Sequence, residues 1–194
     1  MQRLDPEKKQ SIIAAARSRF HRYGIQKTTM QEIARGAGLS VGTLYLYFKN
    51  KDEILLACTQ VFRSEHERVA QLILQSDYAA DEKLRRYILD RFRAARATRE
   101  GTDCAAEIAR AVMRLDPHRI EAEASLTMLT IGQILQQGCE TGLFHHVNLA
   151  VDVEVFAYSI AYFFPIAGKE PLPPPEEEKL LAIVNWFIAQ WQRP

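Results

Sequence analysis

The chain is poor in the two residues that most often interrupt helices. Its 194 residues include no proline between Pro6 and Pro117, and no glycine between Gly42 and Gly101. Proline and glycine punctuate secondary structure, and the alternation of apolar and polar residues that marks strands is also missing. These absences exclude architectures built from many strands and turns, and they predict an all-α fold.

Long apolar runs are missing as well. The most hydrophobic segment, residues 153–168, is interrupted by Glu154 and approaches Pro165 at its end, so we expect no membrane span. The first ten residues lack the apolar run of a signal peptide. Three cysteines, odd in number and far apart, are typical of free thiols in a reducing compartment. They are Cys58, Cys104 and Cys139. We therefore expect a cytoplasmic protein with inert thiols.

Signatures of catalysis and of metal binding are also absent. The sequence contains no Ser/His/Asp arrangement, no phosphate-binding glycine loop and no HExxH motif, so we expect neither an enzyme nor a cofactor. His145 and His146 are adjacent, but neighbouring side chains point apart unless the loop bends. No further ligand follows at metal-binding spacing, so we expect no metal site.

Charge is distributed unevenly along the chain although the formal net charge is only +1. Residues 1–50 contain nine Lys or Arg against three Asp or Glu, a net charge of +6. The remaining residues carry a net charge of −5. A small basic segment joined to a larger acidic one indicates that the first part meets a polyanion and the rest does not.

Apolar residues at helical spacing, together with capping residues, predict about nine helices. Pro6 suits a first helical position, Thr29 with Glu32 forms a capping box, and Ser40 is a good N-cap. The predicted helices cover about residues 6–23, 29–37, 41–48, 50–75, 81–100, 102–115, 117–140, 149–165 and 175–191. The proline-rich run at residues 171–175 is expected to be a stiff connector before the last helix.

The turn between the second and third helices indicates a helix-turn-helix. Ala34 and Gly38 are small and four residues apart, which lets two short helices cross closely. The third helix then projects small, hydroxyl-bearing and phenolic side chains away from its core face, as a helix that enters the major groove requires. Lys49 and Lys51 flank the next helix start, where free N–H groups and the helix dipole favour a phosphate.

The same region resembles the TetR family of bacterial repressors. The resemblance is carried by TTMQEIA at residues 28–34, AGLS at 37–40 and GTLYLYFKNK at 42–51, and it covers roughly residues 7–62. It implies that one set of residues touches phosphates: Thr29, Tyr45, Tyr47 and Lys51. It implies that a second set lies near bases: Lys27, Gly42, Thr43 and Leu46.

The resemblance also implies two domains and a homodimer on double-stranded DNA. Residues 1–50 are expected to form the three-helix DNA-binding domain, and residues 51–194 a ligand-binding and dimerisation domain. In the last two helices apolar residues surround the axis, so each must be buried on more than one side. The predicted interface residues are Phe156, Tyr158, Tyr162, Val184, Phe187 and Trp191. Such dimers read two half-sites of a near-palindromic operator.

The expected function is that of a repressor released from DNA by a small, largely apolar or aromatic ligand. The candidate lining residues are Tyr87, Phe92, Cys104, Ile108, Met113, Met128, Ile131 and Phe164, although ordinary core packing would also explain each of them. Arg91 and Arg110 would suit an acidic ligand or a surface ion pair. Control by a protein partner instead of a small molecule remains the alternative.

Overall fold

The described residues of the computed structural model, 4–100, 104–145, 147–164 and 173–194, form nine α-helices and one 3₁₀ turn. No strand occurs among them, which confirms the predicted all-α class. The helices are α1 Pro6–Tyr23, α2 Met30–Gly36, α3 Val41–Tyr47, α4 Lys51–Gln75, α5 Ala80–Glu100, α6 Ala105–Leu115, α7 Arg119–Glu140, α8 Leu149–Ile160 and α9 Glu177–Trp191. Within these ranges no helix is long and apolar enough to cross a membrane.

Several helix ends differ from the prediction by a few residues. Helix α6 ends at Leu115 because Asp116, which precedes Pro117, is extended (φ −138°, ψ 78°), and residues before proline avoid the helical region. Helix α7 then begins at Arg119. Helix α8 ends at Ile160 and continues as the 3₁₀ turn Ala161–Phe163. The predicted helix start at Thr102, the predicted end at Pro165, His146 and residues 171–172 of the connector lie outside the described residues.

The chain packs as two compact units. The first unit comprises Met1–Ser64 and Thr98–Arg119, and the second comprises Glu65–Ala97 and Ile120–Pro194. Helices α4 and α5 contribute residues to both units. The functional division predicted at residue 50 stays a prediction.

The first unit surrounds one apolar core. Helix α1 begins after Asp5, whose carboxylate accepts a hydrogen bond from the Glu7 N–H at 2.9 Å. Helix α1 ends at Gly24, which has the positive φ of 81° that glycine adopts without strain. Core side chains come from α1, α2, α3, α4 and α6: Ile12, Ile13, Ala16, Phe20, Ile33, Ala34, Leu44, Ile54, Leu55, Cys58 and Val112. The short α2 and α3 are therefore anchored by burial rather than by their own length.

The second unit has a separate core rich in aromatic residues. Phe156 of α8 packs edge-on against Phe187 and Trp191 of α9, with ring centroids 5.2 and 5.7 Å apart. The Phe144 ring lies 5.8 Å from Trp191 and directly over Gly138 of α7, where a β-carbon would overlap with it. Aromatic pairs of this kind add about 0.5–1.5 kcal/mol beyond area burial, so they fix α8 against α9.

Candidate nucleic-acid interface and effector site

The turn between α2 and α3 is set by Gly38. Its φ of 69° places it in the left-handed region, and a β-carbon there would meet nothing within 4 Å, so the backbone conformation alone selects glycine. The Leu39 N–H donates to the Ala34 carbonyl at 2.9 Å, closing the end of α2. Ser40 then caps α3 by accepting from the Thr43 N–H at 3.1 Å. These contacts orient α3 relative to α2.

The start of α2 is held by the predicted capping box. The Thr29 hydroxyl accepts from the Glu32 N–H at 3.2 Å, and the Glu32 carboxylate accepts from the Thr29 N–H at 2.9 Å. Arg19 of α1 forms an ion pair with the same carboxylate at 2.5 Å. Hydrogen bonds from the Thr29 backbone and side chain, with the Arg19 charge, hold the pKa of Glu32 below its usual value. The exposed Thr29 is therefore fixed at the helix N-terminus.

Helix α3 has one buried face and one open face. Leu44 is fully buried in the first-unit core. On the opposite side Gly42 is exposed, Tyr45 is 52% exposed and Leu46 is 69% exposed. Thr43 is half-buried, and its hydroxyl lies 2.8 Å from the Ser40 hydroxyl. With Tyr47, five of the residues predicted to contact DNA thus share one short, firmly anchored helix.

Tyr47 and Lys51, two predicted phosphate contacts, bind the protein's own backbone. The Tyr47 hydroxyl accepts from the Asp5 N–H at 3.0 Å. The Lys51 ammonium group donates to the carbonyls of Ile25 and Thr28, both at 2.7 Å. Both side chains are half-buried. In the DNA-free protein they hold the N-terminus of α1 and the corner between α1 and α2.

The exposed cations near this corner include Lys27 and Lys49. The Lys49 N–H donates to the Glu53 carboxylate at 2.7 Å, and the Glu53 N–H donates to the Asn50 side chain at 2.9 Å. These two hydrogen bonds cap the start of α4. They leave the Lys49 side chain directed to solvent beside the helix start.

Sequence reasoning missed the contribution of α6 to the first unit. The Glu107 carboxylate accepts from the Gln26 N–H at 2.8 Å, and Arg114 pairs with Asp52 at 3.2 Å. The two residues of the first pair are separated by 81 positions. No local pattern signals such a pairing, although Glu107 lies in the first turn of α6, where a carboxylate is expected.

The predicted ligand-lining residues do not form one group. The second unit contains Tyr87, Phe92 and Ile131, all fully buried in its core, with Phe164 packed against them and Met128 half-buried on α7. The first unit contains the other three: Cys104, Ile108 and Met113. Ile108 packs against the first-unit core, and Met113 is exposed. Their role in ligand binding stays a prediction.

A polar cluster lies inside the second unit, and only two of its four members, Tyr87 and Arg91, were candidates from the sequence. His66 of α4, Tyr87 and Arg91 of α5, and Glu123 of α7 meet there. His66 Nε2 lies 2.8 Å from the Tyr87 hydroxyl, and His66 Nδ1 lies 2.9 Å from Glu123 Oε2. Arg91 Nη1 lies 2.8 Å from His66 Nδ1. Burial raises the pKa of Tyr87, although a hydrogen bond from Thr130 and the charge of Arg91 oppose this.

A cleft of about 300 Å³ also lies in the second unit, lined by residues of α4 and α7. Its lining is dominated by amide side chains: Gln71, Leu74, Gln75, Gln133, Gln136, Gln137 and Glu140. None of these was among the predicted lining residues. Glutamines make up five of the cleft's seven lining residues, whereas the site expected from the sequence is lined mainly by apolar and aromatic residues.

The residues predicted to form a dimer interface divide into two sets. Phe156, Val184, Phe187 and Trp191 are buried within the second unit of a single chain. Tyr158 and Tyr162 are exposed, and Tyr158 retains 66% of its accessible surface. The first set has an intrachain packing role, and only the second presents a surface to a partner.

The cysteines and His145 show no sign of a metal site. None of the three cysteines forms a disulfide, and burial raises the pKa of Cys58 to about 11. No group of three or more potential ligands occurs in the part of the chain that the structure describes. The His145 N–H donates to the Trp191 carbonyl at 2.6 Å, so this loop is tied to the end of α9.

Comparison with known proteins adds independent findings. Residues 12–58 match the family described as bacterial regulatory proteins, tetR family. The HTH-type transcriptional regulator TtgR of Pseudomonas putida is 34% identical over 65 residues, which are 34% of this chain and 31% of TtgR. The sequence match to this relative therefore spans under a third of its length and is confined to one region.

Solved structures resemble the whole chain. A transcriptional regulator from Cytophaga hutchinsonii superposes with a TM-score of 0.77 at 21% identity, covering 96% of this chain and 99% of that one. The SmeT–triclosan complex, with SmeT from Stenotrophomonas maltophilia, gives a TM-score of 0.66 at 16% identity, covering 96% and 92%. At these identities the likeness shows the fold alone.

Proposed function

The chain belongs to the TetR family of bacterial regulatory proteins, and from this premise we propose that it is a DNA-binding transcriptional repressor. It acts as a homodimer on a near-palindromic operator, and a small, largely apolar or aromatic ligand releases it. The family consists of regulators and not of enzymes.

The open face of α3 is the observation that carries the proposal. Gly42 allows the helix backbone to approach base edges, while Tyr45 and Leu46 extend from a helix that Leu44 fixes to the core. A helix presented in this way is the reading element of a helix-turn-helix. In this proposal Thr43 and Lys27 lie near the bases, and Thr29 and Tyr45 contact phosphates. Tyr47 and Lys51 would first have to leave their backbone partners to reach a phosphate.

Selection of binding sites from random duplexes, followed by fluorescence anisotropy, tests DNA recognition. We expect a palindrome with half-sites about 34–36 Å apart, and affinity that falls steeply with salt. Tyr45→Ala should weaken binding to the selected site, because it removes an exposed phenol of α3. Tyr78→Ala removes an exposed tyrosine of the second unit and is the matched control. Equal affinity of Tyr45→Ala and the wild type would refute this placement of α3.

An exposed apolar stripe on α8 supports the homodimer. Val151, Val155, Tyr158 and Tyr162 recur at helical spacing and are all exposed, and Trp186 of α9 is 59% exposed. Large apolar side chains grouped on one surface mark an interaction site. A second copy of the chain is the occupant that a palindromic operator requires.

Sedimentation equilibrium tests the dimer. Tyr158→Asp should dissociate it, because the carboxylate would be buried without a partner at the centre of the stripe. Leu129→Asp, at a residue on α7 that is equally exposed, should leave the dimer intact. If the dimer persisted in Tyr158→Asp and dissociated in Leu129→Asp, the interface would lie on α7 and not on α8.

The aromatic core of the second unit supports a small-molecule ligand. Phe92 is buried there and lies edge-on to Phe163 and Phe164, with ring centroids 6.4 and 6.5 Å apart. Apolar and aromatic walls with a few polar groups are typical of small-molecule sites. The neighbour SmeT was solved with triclosan. If the proposal holds, an aromatic ligand that binds the second unit should raise the Kd of the protein for its operator.

A further inference from the structure

The polar cluster in the second unit contains a conflict at His66. Glu123 Oε2, 2.9 Å from His66 Nδ1, forms a hydrogen bond only if Nδ1 carries a proton. Arg91 Nη1, 2.8 Å from the same nitrogen, donates to it only if Nδ1 has a lone pair. A single imidazole nitrogen cannot satisfy both neighbours, so each tautomer forgoes one of these hydrogen bonds.

Arg91 also has a donor without an acceptor. Its Nε atom is buried and has no hydrogen-bond partner among the residues that the structure describes. Arg91 Nη1 lies 3.5 Å from Glu123 Oε2, which is longer than a charge-assisted hydrogen bond. A guanidinium presents Nε and Nη donors in a fork that matches the two oxygens of a carboxylate. Arg91 is therefore prepared for a bidentate acceptor that the described part of the chain does not supply.

The cluster can be reached from solvent on the side of these two charged residues. The side chains of Arg91 and Glu123 are 24% and 22% exposed, whereas that of His66 is 7% exposed. Tyr87 is fully buried behind His66. A ligand can thus meet the Arg91 guanidinium at the cluster's outer edge while the histidine and the phenol stay enclosed.

From these contacts we propose that His66, Tyr87, Arg91 and Glu123 form the effector site and that it binds a carboxylic acid as its carboxylate. The inference rests on the ligand control proposed above and adds the charged group to its apolar or aromatic body. Because Arg91 Nε is buried, the guanidinium has to turn outward to offer Nε and an Nη to the carboxylate, and this movement draws Nη1 away from His66. His66 Nδ1–H then donates to Glu123, and the Tyr87 hydroxyl donates to Nε2. In this state Arg91 Nε has an acceptor, and His66 Nδ1 no longer faces two incompatible neighbours.

Isothermal titration of the full chain without DNA tests the site. The probes are benzoate and hexanoate, each compared with its neutral amide, benzamide or hexanamide. The better carboxylate should bind at least about tenfold more tightly than its amide, because hydrogen bonds between charged groups are roughly twice as strong as neutral ones. Arg91→Gln should abolish that preference. Arg86→Gln, on the same helix, removes an exposed arginine paired with Glu82 and should keep it.

Two results would overturn the site. One is equal carboxylate binding by Arg91→Gln and the wild type, and the other is a wild type that binds neither carboxylate. Nitrogen-15 NMR of the His66 ring in the wild type gives a readout that does not depend on any variant folding. The better carboxylate should bring His66 to the Nδ1–H tautomer, and a ring spectrum unchanged at saturation would contradict the proposal.

DNA binding is measured separately so that the two proposals can fail separately. A protein that binds its selected operator but neither carboxylate overturns the site and leaves the DNA-binding proposal standing. A protein that binds a carboxylate through Arg91 but no DNA supports the site and overturns the repressor. Release of the operator by the carboxylate in the wild type, and not in Arg91→Gln, supports both.

Discussion

Replacing Lys51 with methionine tests whether its ammonium group serves the protein's own backbone or a DNA phosphate. In the structure this group donates to the carbonyls of Ile25 and Thr28 at 2.7 Å and to that of Gln26 at 3.4 Å. Methionine keeps the length and the apolar stem of the side chain but removes the charge and every donor. The carbonyls lie in the corner that leads into α2, so this corner should loosen.

The expected loss of stability follows from the number of short hydrogen bonds. Hydrogen bonds to charged groups contribute about 1.5–3 kcal/mol each. In the variant, water can partly replace the ammonium group at the two carbonyls that accept at 2.7 Å. We therefore expect a loss of about 2–3 kcal/mol in the free energy of unfolding, less than the sum of two such hydrogen bonds. With a urea dependence of about 1–3 kcal/mol/M, the unfolding midpoint should fall by about 1 M.

Urea unfolding and the salt dependence of DNA binding together decide between the two roles. Lys49→Met is the control, because Lys49 is exposed and only two positions away. It should leave the urea midpoint unchanged and flatten the slope of log K against log salt by about 0.9 for one phosphate. If Lys51→Met behaved in the same way, with an unchanged midpoint and a flatter slope, the backbone-binding role would be refuted.

Three further substitutions test the packing by urea unfolding. Gly138→Ala should lower the free energy of unfolding by about 1–3 kcal/mol, because the new β-carbon would overlap with the Phe144 ring. Gly132→Ala, on the same helix, would make only ordinary contacts and should raise the free energy of unfolding by about 0.5–1 kcal/mol. Gly38→Ala should cost about 1–2 kcal/mol through its φ of 69° alone, and no loss would mean that the turn relaxes. Cys58 has a folded-state pKa of about 11, above its usual 9.0. The stability that its buried, protonated thiol contributes is therefore present below about pH 9 and is lost as the pH rises towards 11. Cys58→Ala should flatten this part of the stability profile, and an identical profile would contradict the raised pKa.

Local signals explain why the helices and the helix-turn-helix could be predicted from the sequence. Thr29 caps the N–H of Glu32, and Ser40 caps the N–H of Thr43, so each helix start is encoded within three residues. Gly38 supplies the turn by its own backbone freedom. Each of these interactions joins residues a few positions apart and needs no tertiary partner, which is why a residue pattern is enough to find it.

The effector-site candidates could not be predicted in the same way, because their partners are distant in sequence. His66 meets Glu123 across 57 positions. The missed contact of the first unit has the same cause, because Glu107 meets Gln26 across 81 positions. Which polar residues face each other depends on the rotation and crossing of packed helices, and the pattern of one helix does not contain it. Apolar composition likewise selected Cys104 and Met113 as lining residues, although they belong to the first unit.

The charge count of the first fifty residues illustrates a related limit, and it leads to a measurable expectation. Residues 1–50 contain nine cations, and their net charge of +6 does not say which of them can reach DNA. Arg19 is paired with Glu32 at 2.5 Å. Lys51, just beyond this segment, is likewise held by backbone carbonyls, whereas Lys27 and Lys49 remain exposed. Because only cations that meet phosphates release counterions, the salt slope per protomer should lie below that expected if all nine cations neutralised phosphates. A slope as steep as that value would mean that DNA draws the paired cations away from their protein partners.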